Sequence, residues 1–311
     1  MSLAARCASP DPEIRRLAVM EMADLADPEF EPLLVAALSD ASAAVRAEAA
    51  AGLEAVETGP AVRGLVQALA DPDRKVQEAA GRSLSELKDP ICAEWLLPGL
   101  AEGSAAARAS LLRALRELRA PQAAAPAMVL LGDASPEVRR EAVGVLAYLK
   151  DPMALDKLLR AARQDASAEV RRAAVGALAF APDQPGVGDT LADALHDSAW
   201  LVREEAATTL GRTPGPRASE ALLDALEDEF WQVRLRAARS LGRLREARAV
   251  APLIGLLEHS VSNMRKEAAL ALGELGDPAA ISPLARASDD PDPEVRKAAR
   301  IAALQIQDAR R

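Results

Sequence analysis

One dipeptide recurs along this chain at nearly constant spacing, and that recurrence limits the fold more than any other feature. An apolar residue followed in nine cases by Arg occurs at Ile14-Arg15, Val45-Arg46, Val76-Gln77, Ala107-Arg108, Val138-Arg139, Val170-Arg171, Val202-Arg203, Val233-Arg234, Met264-Arg265 and Val295-Arg296, every 31 or 32 residues. A fixed period of this length signals a solenoid of small supersecondary units, each stacked on its neighbours. Ten repeats fill the 311 residues.

Let the apolar residue of the dipeptide be position zero. Position +4 is Ala in nine repeats and +8 is Leu in eight. Apolar residues at 0, +4, +8 and +11 share one face of a helix. Small Ala at +4 permits close approach of a neighbouring helix, and Leu at +8 fills the space between layers. Three residues before position zero stands a helix cap, Asp11, Ser42, Asp73, Ser104, Ser135, Ser167 or Asp292, with Pro12, Pro136 and Pro293 at the next site. The helix runs about 15 residues to a breaker such as Asp27-Pro28, Asp89-Pro90, Asp151-Pro152 or Asp277-Pro278, where the next helix opens, for example over 28–39 or 152–163. Each repeat is therefore a helical hairpin that buries its apolar face only within the stack. The end repeats are atypical: the first has only a short segment, Leu3–Cys7, for its first helix, and the last has Arg300 at +5 and Ala303 at +8.

Composition agrees with an all-α chain. Half of the residues are apolar but only seven are aromatic, so Ala, Leu and Val supply a helical core that a sheet would not favour.

The pattern Asp-x-x-x-x-Val-Arg-x-x-Ala-Ala-x-x-Leu-Gly-x-Leu, complete from Asp228 to Leu244, resembles the HEAT-like repeats named after phycobilin lyases, over essentially the whole chain. The resemblance implies an all-α fold, a right-handed α-α superhelix (HEAT-like solenoid) of about ten two-helix repeats, forming a single domain over 1–311. It implies further that the second helices line a concave surface. It also implies an Asp/Arg ladder between adjacent repeats: Asp recurs at −5 (Asp40, Asp71, Asp133, Asp165, Asp197, Asp228, Asp290) and Arg at +1. A residue repeated in every layer makes the same contact in every layer, so function is sought where repeats differ.

Three rows of the second helices, +3, +6 and +10, form the stripe opposite the core. In the eighth repeat they read Arg236, Arg239 and Arg243, joined by Arg212 at +10 of the seventh. Guanidinium groups one turn apart suit carboxylate or phosphate. The alternative is a solvated lattice in which Glu205, Glu267 and Glu274 neutralise them. Tyr148 and Phe180 stand at +10 of the fifth and sixth repeats, with Gly144 and Gly176 at +6, and read either as a shallow apolar docking patch or as rings folded inward. Trp200 and Trp231 share position −2 on the rim, where they serve partner binding or packing against the adjacent turn. Trp95 aligns with Leu33 and Leu65 and reads as core. The connection 181–189 holds two prolines and two glycines and reads as a loop, either a hinge or lid beside the aromatic patch or a tolerated insertion.

Exclusions bound the function. Cys7 and Cys92 are far apart and lack Cys-x-x-Cys partners, so neither a disulfide framework nor a thiolate metal site is indicated. His196 and His259 lie at expected helix ends, where solvated positions are the plain reading. No cofactor and no metal are called for, no stretch has the length of a membrane span, and the chain reads as cytosolic. The net charge is −9, with 16 basic against 23 acidic residues over 1–155 and 22 against 24 over 156–311, which disfavours general nucleic-acid binding. Deoxyhypusine hydroxylases have similar repeats but use His-Glu pairs, whereas here the dipeptides are His196-Asp197 and His259-Ser260. The leading expectation is a non-enzymatic scaffold or adaptor that grips a protein partner on its concave surface. The alternative is a phycobilin lyase-like subunit holding a tetrapyrrole, whose propionates the Arg stripe would meet.

Overall fold

The structure is a computed structural model that describes residues 2–54 and 56–308. These residues form α-helices, 3-10 turns and short connections, with no strand among them. No described helix is long and apolar enough to cross a membrane. The chain divides into two compact units, Met1–Ala154 and Leu155–Arg311, referred to below as the N-terminal and C-terminal halves. Each half is a stack of helical hairpins. The second helices of the ten repeats are α1 (Pro12–Leu25), α2 (Ala43–Gly52), α3 (Arg74–Ser85), α4 (Ala105–Glu117), α5 (Pro136–Leu149), α6 (Ala168–Ala177), α7 (Trp200–Leu210), α8 (Trp231–Arg243), α9 (Ser262–Leu275) and α10 (Pro293–Asp308).

The caps act as their residue types dictate. Asp11 accepts from the Glu13 amide at 2.9 Å, Asp73 from Lys75 at 2.8 Å, Ser104 from Ala107 at 3.2 Å and Asp292 from Glu294 at 2.8 Å. Ser42, Ser135 and Ser167 occupy the same position through extended backbone alone. The helices expected over 28–39 and 152–163 are not continuous: a 3-10 turn, Pro28–Phe30 or Pro152–Ala154, precedes Glu31–Ala37 or Leu155–Gln164. A tighter first turn at an Asp-Pro start explains this, since Asp27 caps the Glu29 amide two residues on. Four second helices end on a non-glycine residue in the left-handed region, Ala26, Arg119, Lys150 and Arg245, and a fifth on Gly276; all five stand at +12.

The core follows the repeat. Ala18, Ala49, Ala80, Ala142, Ala174, Ala206, Ala237, Ala268 and Ala299 at +4 are fully buried. Position zero is buried in nine repeats, while Ile14, beside the short helix Leu3–Cys7, is 38% exposed. Trp95, expected in the core, is half-buried with the Arg63 guanidinium 5.9 Å from its ring centre. The irregular connection is shorter than expected: helix resumes at Val187. Gly186, at φ 81°, supplies the left-handed turn, and its carbonyl accepts from the Thr190 amide and hydroxyl.

An Asp/Arg ladder joins consecutive layers within each half. Arg15 grips Asp40 through Nε and Nη2 at 2.6 and 2.7 Å, while its Nη1 donates to the Ser9 carbonyl. The same fork links Arg46 to Asp71, Arg171 to Asp197, Arg203 to Asp228 and Arg265 to Asp290; Arg108 reaches Asp133 at 3.0 Å. The same carboxylates accept the amide two residues on, as Asp40 does from Ser42 and Asp228 from Phe230, so one Asp shapes its own turn and holds the preceding repeat.

Two outcomes follow. Ala206→Leu adds carbons to a fully buried contact and should destabilise the fold by ~1–3 kcal/mol in chemical denaturation; an unchanged midpoint would place the buried face elsewhere. The Arg15, Arg46 and Arg265 forks hold the Asp40, Asp71 and Asp290 carboxyls below their ordinary range. A depressed folded-state pKa contributes stability above the unfolded value, about 4, and loses it as pH falls through the folded one. Thermal melts should therefore hold level from pH 5 to 8 as far as the ladder is concerned and fall below about pH 4, less steeply in an Asp40→Asn, Asp71→Asn variant.

Candidate functional site

The charged stripe of the C-terminal half is mostly consumed internally. Arg239 forms a fork on Glu267 at 2.6 and 2.8 Å, and Glu267 is only 5% exposed. That carboxylate raises the Arg239 pKa above its ordinary value. Arg236 donates to Glu204 at 3.1 Å, and Arg172 to Glu205 at 3.4 Å. The lattice thus uses Glu204 where the sequence suggested Glu205. Arg212 and Arg243 differ: both are exposed, and neither has a carboxylate within ion-pair distance among the described residues. Helix phase brought all four to the same stripe, but the facing acids divide them into two engaged and two open cations.

The glycines at +6 are covered by charge, not by rings. A side chain on Gly144 would meet Arg116, and one on Gly176 would meet Glu205. Tyr148 is 43% exposed under the Arg119 guanidinium, 5.6 Å from its ring centre; Phe180 ends the 3-10 turn Leu178–Phe180 and is half-buried. On the rim, Trp200 stacks on Phe230 with centroids 5.4 Å apart and planes 9° from parallel, and Arg203 lies over the same Phe ring. Trp231, half-buried, opens α8 beside it. Sequence reading passed over Phe230, although an aromatic in a cap position was a visible departure.

A concavity lies in the N-terminal half, at a place the sequence reading did not single out. A groove of about 840 Å³ runs between α3 and α4, lined by Gln77, Gly81, Ser85, Ala106 and Ser110, by Arg74, Arg82 and Arg113, and by Glu54, Glu78, Glu86 and Glu137. A second depression of about 390 Å³, floored by Ala44, Ala47, Ala51 and Ala79, shares Glu78 and Arg82 with it. The two depressions lie on either side of α3 and are referred to together as the trough. The trough coincides with a missing rung. Gln77 replaces the ladder Arg and reaches only the Asp71 carbonyl, at 2.6 Å, while the fourth repeat has Glu102 in place of the Asp. The preceding first helix is cut at Pro98 into Ala93–Leu96 and Gly99–Glu102. The legible signal was the Val76-Gln77 exception itself.

His259 is a second exception, and not the solvated residue expected. It stands in the ladder Asp position: Arg234 Nη2 lies 3.1 Å from its Nε2, and the Val261 amide donates to its Nδ1 at 3.0 Å. Neutral imidazole has one lone pair for these two donors, and Arg234 Nε is buried without a partner. Cys92 is buried, with its thiol pushed up to about 11 by desolvation and by Glu57 and Asp89, which keeps it in the unreactive thiol form.

The HEAT repeats profile matches residues 2–85, 93–179, 157–229 and 219–305. The chain belongs to the HEAT-repeat family. The match is to HEAT repeats in general, a broader group than the phycobilin-lyase type. No curated protein sequence matches the chain. Among solved structures, this HEAT-repeat chain is similar to Kap95p in a complex with RanGDP, at 14% identity and TM-score 0.66 over 98% of its length and 50% of that chain. It is also similar to YibA of Escherichia coli, at 19% identity and TM-score 0.56 over 96% and 98% of the two chains, and to an engineered protein, at 22% and 0.55 over 98% of each. The chain spans half the length of Kap95p, and at these identities the likeness establishes the fold alone.

The His259 rung yields a test. His259→Asp supplies two carboxylate oxygens to the Arg234 fork and the Val261 amide. It should stabilise the protein by ~1–2 kcal/mol, since it gives a buried donor its acceptor. A denaturation midpoint unchanged or lowered by the substitution would show that the His ring already satisfies the site.

Proposed function

We propose that the protein is a non-enzymatic scaffold or adaptor that takes a protein partner on the face lined by its second helices. The observation that carries this reading is the pair of adjacent grooves on either side of α3 in the N-terminal half, lined by small residues and by charge of both signs. Small floor residues leave room for an incoming main chain, and charged lips give specificity and a polar rim. Kap95p, a HEAT-repeat structure similar over half its length, is seen in complexes with RanGDP and with Nup1, which supports a binding role for such a stack. The tetrapyrrole-holding alternative would use the Arg stripe for propionates, but Arg236 and Arg239 of that stripe are engaged by Glu204 and Glu267, which leaves only Arg212 and Arg243 open.

The test begins with capture of the native partner by the full chain and its identification by mass spectrometry. Ala44→Trp with Ala106→Trp, two exposed trough residues, should then weaken binding of the purified partner at least about tenfold by blocking the core of the contact. Ala251→Trp, exposed on a first helix, should leave it unchanged. Loss of binding in the Ala251 variant alone would assign the interaction to the opposite face.

A further inference from the structure

The tenth repeat carries half of a rung. Arg296 stands at +1, where Arg15, Arg46, Arg171, Arg203 and Arg265 each make two sets of contacts. Nη1 donates to a carbonyl of the turn before its own helix, and Nε with Nη2 forks the aspartate of the next repeat. Arg296 keeps the first set: its Nη1 donates to the Asp290 and Pro291 carbonyls at 2.8 and 2.9 Å. Its Nε and Nη2 have no partner among the described residues. The neighbouring acids are committed, since Asp290 lies in the Arg265 fork and Asp292 caps α10 at the Glu294 amide. Arg296 is therefore half-buried and held by the anchor of an interior rung, with its fork open.

The same side of α10 is bare along its length. α10 packs on α9 and on Ile281–Ala287 of its own hairpin. In the seventh to ninth repeats, +9 is where one layer meets the next: a Cβ on Gly211, Gly242 or Gly273 would touch Ser240, Ala271 or Ala302, each at +7 of the following repeat. In the tenth repeat +9 is Leu304, 58% exposed, with Ile301 at 41%. Position +5 is fully buried at Ala207, Ala238 and Ala269. Here it is Arg300, exposed and donating to the Ser288 carbonyl at 3.2 Å, and Lys297 is exposed as well. Apolar side chains among three cations fit an acidic helical surface.

We propose that this face of α10 docks an acidic helical hairpin of another protein, whose turn aspartate enters the Arg296 fork while its helix covers Leu304 and Ile301. The interior rungs identify the ligand as more than a free carboxylate. Each carboxylate that a fork receives also accepts the amide two residues on, as Asp40 does from Ser42 and Asp290 from Asp292. The aspartate thus arrives already oriented at the start of a helix, and planar guanidinium takes it through two bonds. A second copy of this chain fits less well. Its first repeat has Ser9 in the aspartate position, where the hydroxyl accepts the Asp11 amide at 3.2 Å but brings no carboxylate to the fork. The contact is separate from the trough and does not depend on it.

The probe is the hairpin of the seventh repeat, residues 187–212, displayed on phage with positions 197–200 randomised and selected against the full chain. Aspartate should be enriched at position 197, its place in the Arg171 fork. By fluorescence anisotropy, binding of the enriched hairpins should fall at least about tenfold in Arg296→Gln. It should change by less than about threefold in Arg212→Gln, an exposed cation of another repeat. Gln is the clean replacement, because Gln77 at the same position keeps the turn contact, to the Asp71 carbonyl at 2.6 Å, without a fork. Arg296→Gln should leave the melting temperature unchanged while Arg265→Gln lowers it. Equal losses in the two would show that the Arg296 fork has a partner within the chain, and would overturn the proposal. A selection that enriches nothing, or no aspartate at that position, would overturn it too. In sedimentation velocity the unmodified chain should be monomeric; a dimer lost on Arg296→Gln would give the face to a second copy instead. The Ala44→Trp, Ala106→Trp variant should bind the hairpins normally, which keeps a failure here distinct from a failure of the trough reading.

Discussion

Each ladder aspartate completes two structures at once, and the rest of the stack depends on that double use. Its carboxylate accepts the amide that starts its own second helix and also the fork of the preceding repeat's Arg, whose remaining Nη1 closes the turn behind it. Register between layers is therefore set by a short, directional, charged contact. The buried Ala and Leu faces supply most of the favourable burial, but apolar contact alone would tolerate small slips between helices. Ionic forks of this kind define geometry more clearly than they add net stability.

The hairpins, the caps and the buried +4 and +8 positions were legible because each is a local consequence of residue type repeated in most of the ten repeats. Asp11 and Ser104 cap where a short polar side chain precedes an apolar period, and Ala206 is buried where the period requires it. What was not legible depends on contacts between layers. Helix phase placed Arg239 and Arg243 on one stripe, but only the neighbouring helix decides that Glu267 meets the first and leaves the second open. The trough was hidden for the same reason: it is a space between layers beside Gln77, and only the Val76-Gln77 exception in the repeat marked its place. His259 was misread because its position in the repeat, one of ten turns that otherwise favour Asp, carried more information than its residue type.

Surface chemistry in the two halves differs in kind. The N-terminal trough offers space with a small-residue floor, and its lip charges are of mixed sign. The C-terminal stripe holds a depression of about 270 Å³ beside Arg239, Arg243, Glu267 and Glu274, and its exposed cations are Arg212 and Arg243.

A ladder is also a coupling constant. In a stack where each repeat touches only its neighbours, cooperativity is set junction by junction. The forked rungs at Arg15 and Arg46 bind the first three repeats into one block, and the Arg108 rung joins the fourth repeat to the fifth. Between the third and fourth repeats Gln77 supplies no such link. The missing rung of that half therefore lies beside the groove that Gln77 lines, so an occupant of that groove would do more than bind: it would stand in for the rung and make the two blocks unfold as one.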